Sequence, residues 1–189
     1  TGTYGTLVVN KTTGEYTYTL DNTDADTNAI AAGATADETF TVRTTDGTSR
    51  GSQVLTITIT GTNDTPVLTV PTGGALTEGA STTTVTDTLS ASDAEAGSLT
   101  FSVVGETASE GVYTVTGTYG SISLNASTGA YTYTLNNSDA DTVALTSADT
   151  GTETFTVAVE DSAGASATGS LSFAITGTGI TITTIETDN

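Results

Sequence analysis

The sequence contains no cysteine, histidine, methionine or tryptophan, and only two prolines in 189 residues. Without cysteine, the chain cannot form a disulfide framework or use thiol chemistry. Without histidine or cysteine, it cannot form the usual nucleophile–base pairs of hydrolytic enzymes. These absences exclude the commonest catalytic centres, and we expect a protein that is not an enzyme.

Positive charge is almost as scarce. Lys11, Arg43 and Arg50 are the only basic residues against 22 acidic ones, which gives a formal net charge of −19. Nucleic-acid binding depends on clustered lysine and arginine, and an anionic membrane surface would repel this chain. No apolar run reaches the roughly 18 residues of a membrane span. The sequence therefore predicts neither nucleic-acid binding nor membrane insertion, and divalent cations are the natural counter-charge for its carboxylates.

The chain does contain an internal repeat. Residues 1–5 reappear as residues 116–120, an offset of 116 − 1 = 115. The same offset relates Tyr16, Tyr18 and Leu20 to Tyr131, Tyr133 and Leu135, and it relates Glu38, Phe40 and Val42 to Glu153, Phe155 and Val157. After a one-residue slip, Leu55, Ile57 and Ile59 match Leu171, Phe173 and Ile175. The repeat predicts that residues 1–65 are the C-terminal part of a first copy, 66–178 a complete second copy, and 179–189 the start of a following repeat or linker strand.

The first copy lacks a counterpart of residues 66–115, which amounts to about two or three strands of ordinary length. Half of a β-sandwich would leave an apolar sheet face and unpaired strand edges exposed to solvent. Either upstream residues or another chain would have to supply the missing strands.

The secondary structure is predicted to be almost entirely β, because threonine makes up roughly a quarter of the chain and favours strands. Apolar residues alternate with threonine in period-two runs such as residues 16–20 and 55–59. One short helical turn is predicted after Asp24, through residues 28–31 and ended by Gly33. The expected fold class is all-β, with tandem Greek-key β-sandwiches of the immunoglobulin or cadherin type.

The carboxylates form short clusters at predicted strand ends, where alternating acidic residues can offer two oxygens at once to calcium. Paired carboxylates also serve glycosidases, but acidic turns shared between repeats do not favour catalysis. For Asp24 and Asp26 a helix N-cap is the favoured interpretation, since a side-chain oxygen there accepts from free backbone amides. For tyrosine pairs such as Tyr16 and Tyr18, core or cross-strand packing is favoured over a sugar-binding platform.

Residues 61–67, Gly-Thr-Asn-Asp-Thr-Pro-Val, carry the most specific pattern in the chain. Together with residues 20–22, 40–42 and 46–47, this segment resembles the VCBS repeat of large bacterial RTX-type surface adhesins, and more distantly the cadherin repeat. The resemblance covers most of the chain. It implies calcium-rigidified β-sandwiches in long arrays, on secreted proteins that promote attachment or biofilm formation.

The resemblance also implies a set of metal ligands. Asn63 and Asp64 match the Asn-Asp of the cadherin linker, and Asp93 and Glu95 match the Asp-x-Asp at the top of the following domain. Asp161 matches the single aspartate before a glycine-containing turn at that junction. The implied cofactor is Ca²⁺, and a solvated turn is the alternative interpretation of residues 93–97.

The remaining implied ligands lie at the lower ends of the two copies. Asp21 matches the aspartate of a Leu-Asp-x-Glu motif, although Thr23 replaces its glutamate, and Glu78 belongs to the lower end of the second copy. Asn136 stands there in place of Asp21, so we expect a weaker site or none at that end.

The sequence thus predicts a calcium-stabilised extracellular repeat module, acting as extender or adhesive stalk of a bacterial surface adhesin in cell adhesion and biofilm formation. Calcium would neutralise facing carboxylates and fix the angle between copies. The expected partners are neighbouring repeats of the same protein or like subunits, with surface glycans or matrix as further candidates. The expected location is secreted, at the bacterial cell surface.

Two other functions stay open. One is a self-assembling subunit of an extracellular filament or surface layer, which completes the first copy by strand exchange between chains. The other is a carbohydrate-binding module attached to a secreted hydrolase, whose glycan binding would survive a chelator.

Overall fold

The computed structural model describes residues 1–95 and 97–179. Its contacts divide the chain into two compact units. Unit 1 consists of residues 1–65 together with residues 93–97, and unit 2 contains the rest. The predicted copies are stretches of related sequence rather than compact units, so their limits stay a prediction. The predicted third copy lies, after Gly179, outside the described residues.

Unit 1 is built from two antiparallel hairpins joined by one helical turn. β1 (Gly5–Val9) pairs with β2 (Tyr16–Leu20), and β3 (Thr35–Thr45) pairs with β4 (Arg50–Thr60). Helix α1 (Ala25–Asn28) lies between the hairpins in the chain. The period-two runs read from the sequence are therefore strands, because alternate side chains of a strand point to opposite faces.

Unit 2 contains ten strands and one helical turn among its described residues. In chain order they are β5 (Val67–Thr69), β6 (Ala75–Thr77), β7 (Thr84–Thr88), β8 (Ser90–Ser92), β9 (Thr100–Val103), β10 (Val112–Thr116), β11 (Gly120–Asn125), β12 (Ala130–Leu135), α2 (Ala140–Val143), β13 (Thr150–Glu160) and β14 (Ser166–Thr176).

Two four-stranded sheets form the body of unit 2. One has the order β10-β11-β12-β7 and the other β6-β14-β13-β9, while β5 pairs with β8. All of these pairings are antiparallel except that of β6 with β14. Strands far apart in the chain, such as β7 and β12, are neighbours in space, as in Greek-key sandwiches. The predicted all-β sandwich fold is confirmed.

The core of unit 2 is formed by the alternating apolar side chains of both sheets. The first sheet contributes Ile122, Leu124, Tyr131, Tyr133 and Leu135, and the second contributes Phe155, Val157, Val159, Leu171, Phe173 and Ile175. The rings of Tyr133 and Phe173 stack with their centroids 4.2 Å apart and their planes at 12°. Such large buried rings dominate core energetics. Core packing, as predicted, accounts for Tyr131 and Tyr133.

Each helical turn begins at an aspartate cap. The side chain of Asp24 accepts the backbone N–H of Asp26 at 2.9 Å, and Asp139 accepts that of Asp141 at the same distance. The predicted N-cap is thus confirmed. The first turn ends at Asn28, earlier than predicted, because the N–H of Ile30 donates to the carbonyl of Thr27 at 3.2 Å and not to that of Asp26. None of the described helices is long and apolar enough to cross a membrane.

Candidate metal centre

The segment after β4 and the loop between β8 and β9 meet within unit 1. The backbone N–H of Asp64 donates a hydrogen bond to Oε1 of Glu95 at 2.9 Å. Glu95 is buried, with 6% of its surface exposed. Its second oxygen, Oε2, is also buried and has no hydrogen-bond partner among the described residues. A buried carboxylate oxygen without a partner costs free energy, so a cation beside it would be stabilising.

Asn63 and Asp93 lie next to this contact in sequence, and both are half-buried. The side-chain amide of Asn63 donates to the backbone carbonyl of Asp64 at 2.8 Å. Asn63, Asp64, Asp93 and Glu95 all belong to unit 1. They offer a metal only oxygen ligands, which is the donor set that calcium prefers.

A polar cleft of about 270 Å³ opens beside Asp64 in unit 1. Its lining comes from α1 and from the ends of β2 and β4, and includes Leu20, Asn22, Thr27, Asn28, Ile59, Thr60, Gly61, Thr62 and Asp64. Asn22 and Asn28 were not singled out by the sequence, because neither stands at a ligand position of the cadherin-type motifs. Their amide oxygens nevertheless belong to a chemical type that calcium accepts.

Asp21, although described, does not line this cleft. Its Oδ1 accepts the hydroxyl of Thr23 at 2.7 Å and the N–H of Thr23 at 2.9 Å. The Thr23 hydroxyl first, and then its N–H, hold the pKa of Asp21 below its ordinary value. Asp21 therefore serves as a turn-forming side chain, which makes it a weaker candidate ligand than Asp64.

The other two predicted ligands lie in unit 2, and both are hydrogen-bonded to the chain. Oδ1 of Asp161, directly after β13, accepts the N–H groups of Ala163 and Ala165 at 2.8 and 2.9 Å. Oε2 of Glu78, directly after β6, accepts the N–H of Thr178 at 2.9 Å and its hydroxyl at 3.2 Å. Asp161 orders a turn, and Glu78 ties β6 to the chain that follows β14.

Acidic side chains alone do not form an ion site in the part of the chain that the structure describes, since no three of them come close enough to hold one metal ion. Calcium also accepts amide and backbone carbonyl oxygens and water. Of the predicted ligands, the structure brings Asp64 and Glu95 into direct contact. The role of all seven predicted residues as ligands stays a prediction.

A buried carboxylate to which the sequence assigned no role anchors the repeated motif at residues 116–120. Glu153, on β13, accepts the N–H groups of Thr118 and Tyr119 at 3.0 and 2.7 Å, and the hydroxyl of Tyr133 at 3.5 Å. A Cβ atom on Gly117 would lie 2.4 Å from the carboxyl carbon of Glu153. Glycine at position 117 therefore makes room for this carboxylate.

Glu38 repeats the arrangement in unit 1. It accepts the N–H groups of Thr3 and Tyr4 and, at 2.7 Å, the hydroxyl of Tyr18. Burial raises the pKa of Glu38, but these hydrogen bonds outweigh burial and hold the pKa below its ordinary value. Burial, with the hydrogen bond to Glu38, raises the pKa of Tyr18 to about 12. The sequence signal for this carboxylate is its position two residues before Phe40, on the same strand face.

The chain was compared with family models, with solved structures and with curated proteins. The family model described as bacterial cadherin-like domain matches residues 63–177. A solved structure of protocadherin gamma B7 extracellular cadherin domains 1–4 is 17% identical with a TM-score of 0.48, over 92% of this chain and 39% of that chain. Mouse cadherin-23 domains EC22–24 are 17% identical with a TM-score of 0.43, over 92% of this chain and 50% of that chain. No curated protein matches the chain.

The chain thus spans half or less of the length of these solved structures. The cadherin-like part of the predicted resemblance is confirmed by the family model. The narrower resemblance to VCBS repeats of RTX-type adhesins stays a prediction.

Proposed function

Since the chain belongs to the bacterial cadherin-like domain family, we propose that it is a calcium-stabilised extracellular repeat module, acting as extender or adhesive stalk of a bacterial surface adhesin. Its proposed role is in attachment and biofilm formation, without catalytic activity. Its proposed partners are neighbouring repeats of the same protein or like subunits, with surface glycans or matrix as further candidates.

The calcium proposal rests on the hydrogen bonding of Glu95, which differs from that of the other buried carboxylates. Glu38, Glu153 and Asp161 are also buried, and each accepts two backbone N–H groups. Glu95 accepts one, from Asp64, and its Oε2 has no partner within the described ranges. Because a buried charge is costly unless it is compensated, this difference favours a cation at Glu95.

The residues present fit calcium. Asn63, Asp64, Asp93 and Glu95 would hold the ion through oxygen atoms, and the chain has no histidine or cysteine to favour a softer metal. When bound, the ion would neutralise charge and take part in no reaction. Held by both the segment after β4 and the loop between β8 and β9, it would resist their separation, which is what an extender under tension requires.

Thermal unfolding of the whole chain in EGTA, and then in millimolar calcium, tests the proposal. Extracellular calcium modules bind with Kd values of about 10⁻⁴–10⁻³ M. Calcium at about ten times its Kd stabilises the folded state by about 1.4 kcal/mol per site. We expect Tm to rise with calcium and Glu95→Gln to lose most of that rise. Glu106→Gln, which removes the same charge from an exposed position, should keep it.

Isothermal titration calorimetry of the same three proteins separates specific binding from general screening. Calcium should give a saturable signal in the natural chain and in Glu106→Gln, and a much weaker one in Glu95→Gln. A Tm that is equal in EGTA and in calcium, or a calcium response that Glu95→Gln keeps in full, would contradict the proposed site.

A further inference from the structure

The hairpin of β3 and β4 in unit 1 has the same register as the hairpin of β13 and β14 in unit 2. Thr45 lies opposite Arg50 in the first hairpin. At the same position of the second hairpin, Glu160 lies opposite Ser166. Each residue of one hairpin therefore has a defined counterpart in the other. The face of β13 that carries Phe155 points into the core of unit 2, and the opposite face of each hairpin is its outer face.

Three outer-face positions near the turn differ in kind between the two hairpins. Unit 2 has small neutral residues at all three, whereas unit 1 has two arginines and a valine. The counterparts are Arg43 and Ala158, Arg50 and Ser166, and Val54 and Ser170. Since unit 2 forms the same hairpin without them, the hairpin does not require the residues of unit 1. We call Arg43, Arg50 and Val54 the outer patch.

The outer patch is one continuous surface. Arg43 lies opposite Ser52, so Arg50 and Val54, two residues to either side of Ser52, are its diagonal neighbours on the same face. Diagonal neighbours in an antiparallel pair lie about 7–8 Å apart, within reach of long side chains. All three side chains are exposed, that of Val54 to 64%. Two arginines on one face repel each other, and an anion held between them would relieve this repulsion.

The cations of this surface have no anionic partner within the described ranges. There, Arg43, Arg50 and the neighbouring Lys11 form neither an ion pair nor a side-chain hydrogen bond. Lys11 and Arg43 border the same groove at the turn end of unit 1. The carboxylate of Asp46, in the turn between β3 and β4, instead accepts two backbone N–H groups of that turn at 2.9 and 2.6 Å. The guanidinium donors of the outer patch are therefore available to a ligand.

Positive charge is concentrated at this end of unit 1. Residues 9–15 and 41–54 carry three basic and two acidic residues, whereas their counterparts, 124–130 and 156–170, carry two acidic residues and no basic one. Unit 1 as a whole is still net negative, so attraction for an anion is confined to the outer patch, within a Debye length of about 10 Å. The remaining carboxylates repel densely charged polyanions and further copies of this chain. A ligand with widely spaced negative charges fits best.

We propose that the outer patch binds an anionic polysaccharide in which charged sugars alternate with neutral ones. The two guanidinium groups bind its oxyanion through paired N–H···O hydrogen bonds, and Val54 packs against the C–H face of an adjacent neutral sugar. Arg50 and Val54 are four residues apart on β4, about 14 Å along a strand, which suits a short oligosaccharide better than a single ion. The hydroxyls of Thr41, Thr45 and Ser52 lie on the same face and suit sugar hydroxyls.

This proposal names one partner of the proposed function and to that extent rests on it. The outer patch shares no residue with the proposed calcium ligands, and its binding can be measured in EGTA. The loss of either site therefore leaves the other testable.

Isothermal titration calorimetry in EGTA at low ionic strength tests the proposal with three oligosaccharides. Those of hyaluronan carry a carboxylate on every second sugar, their carboxyl-reduced form carries none, and those of chondroitin sulfate carry a sulfate ester as well. We expect the natural chain to bind hyaluronan oligosaccharides saturably, to bind them more weakly as salt is added, and not to bind the reduced form. Tighter binding of chondroitin sulfate would assign the oxyanion to sulfate, and equal binding would assign it to the carboxylate.

Three variants locate the site. The triple variant Arg43→Ala, Arg50→Ser, Val54→Ser gives unit 1 the outer-face residues of unit 2 and should weaken binding by about tenfold or more, because charge-assisted hydrogen bonds are lost. The double variant Arg43→Lys, Arg50→Lys keeps the charge but loses the paired geometry, and should bind more weakly than the natural chain. Ser166→Glu in unit 2 changes the net charge as much as the loss of one arginine, and should bind like the natural chain.

Absence of binding by the natural chain, with its circular dichroism spectrum typical of strands, would overturn the proposal. Binding of equal strength by the triple variant would do the same for the assigned site. Equal binding of the carboxyl-reduced oligosaccharide would contradict the role of the arginines. Dimerisation of the natural chain at low salt, abolished in the triple variant, would identify a second copy as the partner in place of a polysaccharide.

Discussion

Tyr16 and Tyr131 occupy the same position in two copies of one motif, and we predict that they contribute very different free energies. Tyr131 is 3% exposed, and its ring lies edge-on to Phe173 at a centroid distance of 6.0 Å. Truncation of a buried aromatic residue to alanine costs about 3–5 kcal/mol. The Tyr131→Ala variant should therefore lose about that much of the unfolding free energy of unit 2 relative to the natural chain. Tyr16 is more than half exposed. Tyr16→Ala should therefore cost less than about 1 kcal/mol.

The hydroxyl of Tyr131 allows the ring and the polar group to be tested separately. This hydroxyl is buried and has no hydrogen-bond partner in the portion of the chain that the structure describes. Burial, and secondarily the charge of Asp87, raise the pKa of Tyr131. Tyr131→Phe keeps the packing and removes an unsatisfied polar atom. We expect it to be neutral or to stabilise unit 2 by up to about 1 kcal/mol.

Urea unfolding, followed by far-ultraviolet circular dichroism and tyrosine fluorescence, measures these three variants against the natural chain. The slope of the unfolding free energy with urea should stay constant, so that differences in midpoint report stability. Equal losses for Tyr16→Ala and Tyr131→Ala would refute the reasoning, because they would mean that the two positions are equally buried. A large loss for Tyr131→Phe would show that its hydroxyl is hydrogen-bonded.

The remaining predictions concern the two buried carboxylates that hold the repeated motif. Glu153→Gln should destabilise unit 2 by about 1–3 kcal/mol in urea unfolding, because charge-assisted hydrogen bonds to backbone amides are lost. The control Glu160→Gln changes an exposed residue and should have little effect on stability. Equal effects of the two variants would contradict the role of Glu153. The pKa of Glu38 is lowered in the folded state. Its contribution to stability is therefore complete above the unfolded pKa of about 4.3 and is lost as the pH falls through the folded value. Unfolding curves between neutral and acidic pH should converge for the natural chain and Glu38→Gln, and a difference that persists at the lowest pH would argue against this linkage.

The strands could be predicted from the sequence because their information is local. The alternation of Tyr16, Tyr18 and Leu20 with threonine is strictly period-two, and residues 16–20 form a strand in the structure. The helix cap at Asp24 was equally local, since it depends on two nearby residues. The end of the helical turn was misjudged because nothing between Asn28 and Gly33 differs strongly in helix propensity.

The candidate metal centre could be predicted only in part. The acidic positions are visible in the sequence, but the contact between Asp64 and Glu95 joins residues 31 positions apart. Only the fold decides that Oε2 of Glu95 is buried while Asp21 is engaged in its own turn. Asn22, which lines the cleft beside Asp64, was not singled out because the motif that marked Asn63 assigns no ligand to its position.

Glu38 and Glu153 have a recognisable pattern in the sequence, although no role was assigned to them from it. An acidic residue in a strand usually faces solvent, since burial of a charge is costly. Glu38, however, precedes Phe40 and Val42 at period-two spacing, which places all three on one face, and its counterpart Glu153 does the same. The recurrence of this inward-facing acid with the Gly-Thr-Tyr motif indicates a partner within the fold. That partner is the pair of backbone N–H groups at the turn.

Burial in unit 1 could not be deduced from its own residues at all. Unit 1 and residues 116–178 share their sequence motifs, hairpin registers and turn hydrogen bonds. They differ in the strands around them, and this difference takes Tyr16 from core to surface. Hairpin register is thus set by local pairing and by the turn, whereas core formation is set by segments remote in the chain. Loss or addition of the flanking strands should therefore change the stability of a half-sandwich without changing its register.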